Sequence, residues 1–215
     1  MSGSRRHRRG PKKPNARDGI LGAALRLIRE KGYGATSVDD LCQAAGVTKG
    51  AFFHHFKSKE ALGVAAAAHW TATIAPKFAR APYHTAADPL DRVLAYLDFR
   101  RGLIRGPASE FSCVAGTMVQ ETHQSSPAIR DACFEAITNH AETLEADIGE
   151  AIAKYVLAFE TTAGSLALYS QTVLQGAFIV AKAKNDPQIA VDSIDHLRRY
   201  FEMLFNTPNR KETLS

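Results

Sequence analysis

Cysteine, methionine and tryptophan are scarce in this chain of 215 residues, at three, three and one. The cysteines Cys42, Cys113 and Cys133 are odd in number and widely spaced. That excludes a disulfide framework and a zinc pattern, and it points to a reducing, cytoplasmic setting. No apolar run reaches the ~18 residues that a membrane span needs. The basic N-terminus lacks the apolar stretch of a signal peptide, so the protein is expected to stay where it is made. Nucleophile–base motifs, phosphate-cradling glycine loops and metal-ligand spacings are missing as well, so no enzyme, cofactor or metal is expected. Strand-like alternation persists nowhere, which leaves an all-helical fold of about nine helices.

What is present is ordinary in amount and uneven in placement. Apolar residues make up 45% and charged residues 23% of the chain, enough to bury a sizeable core. Residues 1–60 hold 13 Lys and Arg against 5 Asp and Glu, a net of +8, whereas residues 61–215 hold 14 against 17, a net of −3. A polyanion partner is therefore expected for the first segment only.

That basic segment contains SVDDLCQAAGVTKGAFFHHF, Ser37 to Phe56, which reads as two short helices about a glycine turn. Ser37 and Asp40 have capping-box spacing, and Val38, Leu41, Cys42 and Ala45 recur at helical spacing. Gly46 ends the first helix, since a left-handed residue there costs least in glycine. Thr48 caps the second, with Phe52 and Phe56 inward and Lys49, His54 and His55 outward. Helices this short need neighbours to hold them.

The neighbours follow in order. Residues 1–15 form a basic, Gly- and Pro-containing arm expected to be disordered alone. It either enters a minor groove or adds nonspecific attraction to phosphates. A helix is expected from Ala16 to Lys31, stopped by Gly32 and Gly34. A long one runs from Lys59 to about Arg80, capped by Ser58, with Pro76 late in it. Asp88-Pro89 and Ser126-Pro127 are cap-and-first-turn pairs that open two more, one to about Ile104 and one to about Lys154. A single run is expected from Glu110 to His123, and the last two are Ala158–Lys184 and Pro187–Phe205. The division that results is an arm over 1–15, a helix-turn-helix domain over 16–66 and a larger helical domain over 67–215.

The stretch ALRLIREKGYGATSVDDLCQAAGVTKGAFFHHFKSKEAL resembles the N-terminal domain of TetR-type transcriptional regulators, over about Gly19 to Ala66. FSCVAGTMVQE, QGAFIVAKAKNDP and DHLRRYFE look like the C-terminal domain of one subgroup of that family. The resemblance implies a homodimer whose small domains bind a palindromic, double-stranded DNA operator and whose large domains bind a small-molecule effector. It implies repression as the usual outcome.

On the resemblance, the helix Thr48–Phe56 enters the major groove. Lys49 then reaches guanine acceptors or phosphate, and Gly50 admits close backbone approach. Thr48, His54 and His55 donate to phosphates or base edges, and Lys59 faces a phosphate at the start of its helix. Thr36 and Ser37 are placed likewise. Phe53 stands where many family members have Tyr, so it keeps ring packing and loses a phosphate hydrogen bond. The plainer alternative for these cations is solvated charge.

In the larger half, an effector pocket is expected among Trp70, Phe78, Tyr96, Phe99, Phe111, Cys113, Met118 and Phe134, an aromatic set suited to a lipophilic ligand. Such residues at helical spacing also make ordinary core. Cys113 falls near the start of a helix, whose positive dipole end favours thiolate, so oxidants or electrophiles are an alternative trigger to a bound effector. The plainer reading is an inert buried thiol, as for Cys42 and Cys133. Lys182 is another residue that could lie across the core from Cys113, although no spacing places it there. The apolar faces of the last two helices look like the family's four-helix dimer interface, with Leu168, Gly176, Ile179, Ile194, Leu197 and Phe201 on it; the plainer alternative is that these residues face the chain's own core. A basic membrane-surface protein is disfavoured, because the arm carries Pro11 and Pro14 rather than an amphipathic helix.

Overall fold

The computed structural model describes residues 15–205, and every regular element among them is helical. The first four helices are α1 (Ala16–Lys31), α2 (Val38–Ala45), α3 (Lys49–His55) and α4 (Lys59–Ala79). A 3-10 turn over Pro82–Thr85 leads to α5 (Pro89–Gly102), α6 (Ala108–Phe111), α7 (Val114–Thr122), α8 (Pro127–Lys154), α9 (Ala163–Lys184) and α10 (Gln188–Leu204). The basic arm lies almost wholly outside the described residues.

Local chemistry sets most boundaries. Ser37 and Asp40 form both arms of the capping box, and Gly46 takes the left-handed conformation at φ 66°. Thr48 accepts from the Ala51 amide and Ser58 from the Ala61 amide. Asp88 and Ser126 each cap a helix whose first residue is proline. Two boundaries differ from expectation. The run from Glu110 to His123 breaks at Ser112-Cys113, where both residues are extended. The break lets the Cys113 sulfur accept from the Gly116 amide at 3.4 Å, starting α7 afresh and making ten helices rather than nine. The ninth helix begins at Ala163, not Ala158, because the Ala158 amide is drawn off to the Leu204 carbonyl at 2.8 Å. Thr162 provides the cap instead.

Two apolar cores result. The larger is built from α5, α8, α9 and α10 with the end of α4. The smaller joins α1, α2, α3 and the start of α4 to Val114, Ala115 and Met118 of α7 and to Ile129, Cys133 and Ala136 of α8. The α2–α3 pair packs on α1, α1 packs on α7, and α4 packs on α7 and α8 and passes unbroken from one core to the other. Gly63 makes this close fit possible, since a Cβ there would lie 2.7 Å from Ile129 Cδ1.

Candidate nucleic-acid interface and effector cavities

Inside α3, Phe52 is wholly buried and Phe56 nearly so, with ring centroids 5.8 Å apart. Their spacing turns the other face outward. Thr48, Lys49, Gly50, Phe53 and His54 are exposed and His55 is half-buried. Phe53 is 52% exposed, its ring standing edge-on to Phe52. Lys49 Nζ pairs with Asp39 of α2 at 2.8 Å, which raises the pKa of the lysine. Such a solvated pair stabilises little and is readily exchanged for a phosphate. Ser37 is exposed but doubly engaged, its hydroxyl donating to Asp40 while accepting the Asp40 amide. Lys31, then Ser37, hold the Asp40 carboxyl well below the ordinary carboxylate range.

Two residues stand elsewhere than the resemblance implies. Thr36 is buried, and its hydroxyl donates to the Gly32 carbonyl at 2.7 Å; it braces the α1–α2 turn and leaves no hydroxyl at the surface. Lys59 lies over the Tyr33 ring at 4.4 Å and donates to the Gly34 carbonyl at 3.2 Å. Partial burial lowers its pKa. It fastens the same turn from the α4 side rather than pointing free.

The turn is fastened from the larger half as well. Glu121, near the end of α7, accepts the Tyr33 amide at 3.0 Å and the Gly34 amide at 2.6 Å. A Cβ on Gly32 would lie 2.6 Å from one Glu121 oxygen and one on Gly34 would lie 3.0 Å from the other, so two glycines make the seat. Arg29 of α1 donates to the Glu110 carbonyl at 2.9 Å and stacks over Trp70. Ser126 donates to Glu60 of α4. Sequence reasoning missed Glu121; the two glycines of KGYG were the available signal.

The larger half holds a polar centre within its core. Fully buried Tyr96 bonds His140 Nε2 at 3.0 Å and accepts from Gln171 at 3.3 Å. Arg100 also reaches that imidazole nitrogen, at 3.3 Å. Burial first, and Arg100 second, push the His140 pKa down to about 3, so the ring is neutral and accepts both bonds.

Cavities open beside this centre and between α7 and α9. One of about 290 Å³, almost wholly apolar, lies between α4 and α8 beneath the 3-10 turn and is lined by Ile74, Phe78, Tyr83 and His140. A second of about 220 Å³ lies between α7 and α9 and is lined by Ser112, Cys113, Thr117, Glu121, Phe178 and Lys182. A crevice of about 40 Å³ carries Trp70, Phe111 and Cys113. Of the expected pocket residues, Trp70, Phe78, Phe111 and Cys113 therefore line cavities. Tyr96 sits behind them in the polar centre, and Phe99 packs on Phe78 and Tyr83. Met118 is wholly buried in the smaller core, and Phe134 is 65% exposed on the outside of α8; neither is among the residues lining these three cavities. Cys42 and Cys133 are core, and burial pushes the Cys133 thiol up to about 12.

Of the expected dimer residues, Leu168, Gly176 and Ile179 are exposed on one face of α9. Ile194, Leu197 and Phe201 are at most 2% exposed and belong to the protomer's own core, because α10 lays its apolar stripe on α5 and α9. Tyr169, Val180 and Met203 are exposed instead.

This arrangement matches known proteins along its length. Residues 20–66 fit the family of bacterial regulatory proteins called tetR, and residues 89–197 fit the tetracyclin repressor-like C-terminal domain. The chain belongs to the TetR family. It is 29% identical over 139 residues to the transcriptional regulator LmrA of Bacillus subtilis, a match covering 61% of this chain and 70% of that one. The regulatory protein TetR from Rhodobacter sphaeroides shares the fold at a TM-score of 0.76 and 24% identity, over 87% of this chain and 99% of that one. The regulator CifR, solved as a cysteine mutant with 26-bp operator DNA, shares it at a TM-score of 0.70 and 22% identity, over 88% and 98%. The TetR-type helix-turn-helix is thus the DNA-binding unit of a transcriptional regulator. Among the described residues no helix is long and apolar enough to cross a membrane, and no metal-ligating cluster occurs.

Proposed function

We propose that this TetR-family protein is a repressor that binds an inverted-repeat operator as a homodimer and is released by a small-molecule effector. The observation that carries the reading is the outward face of α3, where Thr48, Lys49, Gly50, Phe53 and His54 stand exposed together on a rigid Phe52–Phe56 base. Residues 16–66 act as the reading unit, and residues 67–215 act as the effector and dimerisation unit. The CifR complex with operator DNA supports a like docking here. Exposed Leu168, Gly176 and Ile179 on α9 supply an apolar face for a second copy. The two larger cavities offer room for an effector.

The test is selection of bound fragments from the source genome with the purified full chain, followed by competition gel shifts. An inverted repeat bound by a dimer is expected, and sequence-indifferent binding would overturn the regulator reading. Genes beside the selected site would indicate the regulated pathway.

A second reading, covalent switching at Cys113, is favoured by its position. The thiol is partly exposed, caps α7 and shares a cavity with Lys182. Its thiolate would add across an activated carbon–carbon double bond, forming a C–S bond as the π bond opens and the adjacent carbon takes a proton from water. N-ethylmaleimide is expected to release wild-type protein from operator and to spare Cys113→Ser; equal release removes this thiol from the mechanism.

A further inference from the structure

The cavity between α7 and α9 carries a cation, Lys182, and a buried hydroxyl without a partner, beside the amides of Gln120 and Gln175. Ser112 is 1% exposed, and its Oγ is the buried side-chain polar atom among the described residues that has no partner. A buried hydroxyl left unpaired is costly, so this one is set for a group that the protein itself does not supply. Lys182 spends one ammonium hydrogen on Thr117 Oγ1 at 3.0 Å, and an ammonium carries three. Partial burial, then the charge of Arg29, lower the Lys182 pKa, so an anion there would find a poorly solvated cation. The acidic group on the wall, Glu121, is committed to the Tyr33 and Gly34 amides. Phe178 and Ile179 complete the wall with hydrocarbon. At about 220 Å³ the space lies below the ~300–1,000 Å³ of drug-sized ligand sites, so its occupant is small.

We propose that this cavity binds a small organic carboxylate, held by Ser112 and Lys182, and that Glu121 relays its occupancy to the helix-turn-helix. Thr117 and Glu121 are one turn apart on α7, so the lysine partner and the latch share a face. A second anion beside Glu121 repels it and competes for the field of Lys182. The carboxylate of Glu121 then loosens from its glycine seat. The seat lies between α1 and α2 and contacts Lys59 at the head of α4, so its release undoes the polar fastening between α7 and the turn that leads into α2, leaving α1 and α4 only their apolar packing on α7. The ligand need only bind this loosened form better to shift the population toward it. The relay rests on the regulator reading above; the binding site does not.

The sole tryptophan, Trp70, lines the crevice that shares Cys113, Gln175 and Phe178 with the cavity, and its emission reports binding. Acetate, butyrate and benzoate would be titrated against the full chain beside acetamide, butyramide and benzamide. At least one carboxylate is expected to bind about tenfold tighter than its amide, equivalent to about 1.4 kcal/mol. Lys182→Gln and Ser112→Ala should each erase that preference, while Lys182→Arg keeps it. No carboxylate preferred over its amide, or a preference intact in Lys182→Gln, overturns the site. In gel shifts on the selected operator, the bound carboxylate should weaken wild-type affinity at least about fivefold. It should leave that of Glu121→Gln unchanged, although Trp70 still reports binding. An equal response in Glu121→Gln overturns the relay. Wild-type protein that binds no inverted repeat overturns the regulator reading instead, while the titration still judges the site. Thermal melting of each variant separates these outcomes from loss of folding.

Discussion

Lys49 and Phe53 share one exposed face, and substitutions there distinguish charge from shape. Lys49→Ala removes a cation whose partner, Asp39, is equally solvated, so stability should hardly change while operator affinity falls. Phe53→Tyr adds a hydroxyl to a half-exposed ring and should retain or strengthen binding. If gel shifts find both variants equal to wild type, α3 is not the helix in the groove. Stability has its own single-residue marker in His140, whose pKa falls from 6.5 to about 3 on folding. Between those values the unfolded chain takes up a proton that the folded ring refuses. Its contribution is therefore intact above pH ~6.5 and drains as pH falls toward 3, by up to about 1.4 kcal/mol per pH unit. Melting temperatures between pH 7.5 and 5 should drop more steeply for wild type than for His140→Asn. Parallel profiles would assign the acid sensitivity to other groups.

At the scale of elements, α9 and α10 divide the labour that the family resemblance assigned to both. Leu168, Gly176 and Ile179 fall on one exposed stripe of α9, whereas the matching stripe of α10 is consumed inside the protomer. Ile179→Glu should therefore yield a folded monomer by light scattering, with operator binding weakened because two half-sites are no longer joined. Phe201→Ala should instead destabilise the protomer itself by about 3–5 kcal/mol, read in denaturant unfolding. A dimer that survives Ile179→Glu would remove α9 from the interface. The break at Ser112-Cys113 belongs to this scale too. It turns a thiol expected in the first turn of a longer helix into the cap of α7, and it leaves the neighbouring serine hydroxyl buried without a partner.

For the molecule as a whole, charge and connection matter most. The net +8 of residues 1–60 against −3 for the rest should make operator binding fall steeply with salt. A protein making about six phosphate contacts loses roughly a thousandfold in affinity between 50 and 200 mM. A shallow slope in salt titrations would deny phosphates a leading role. Connection runs through α4 and through the seat of Glu121 on the Gly32–Gly34 turn, which tie the reading unit to the cavities.

Caps, turns and the inward phenylalanines were legible in the residues, because each depends on neighbours within one or two helical turns. Ser37 with Asp40, Gly46, Thr48, Asp88-Pro89 and Ser126-Pro127 each state their own geometry, and the 3.6-residue period places Phe52 and Phe56 inside. What lies across an apolar stripe is a different matter, since hydrophobicity is non-directional and looks alike whether its partner is a core, a ligand or a second chain. Tertiary packing alone sent Ile194, Leu197 and Phe201 inward, put Phe134 outside, sank Met118 and brought Lys182 into one cavity with Cys113. It also paired Glu121 with amides 87 and 88 residues away. The sequence by itself determined most helices, their capped ends and the helix-turn-helix motif, but neither the break at Ser112-Cys113 nor the start of α9 at Ala163. The structure decided which faces meet, because that depends on long-range complementarity of shape, which a local pattern does not encode.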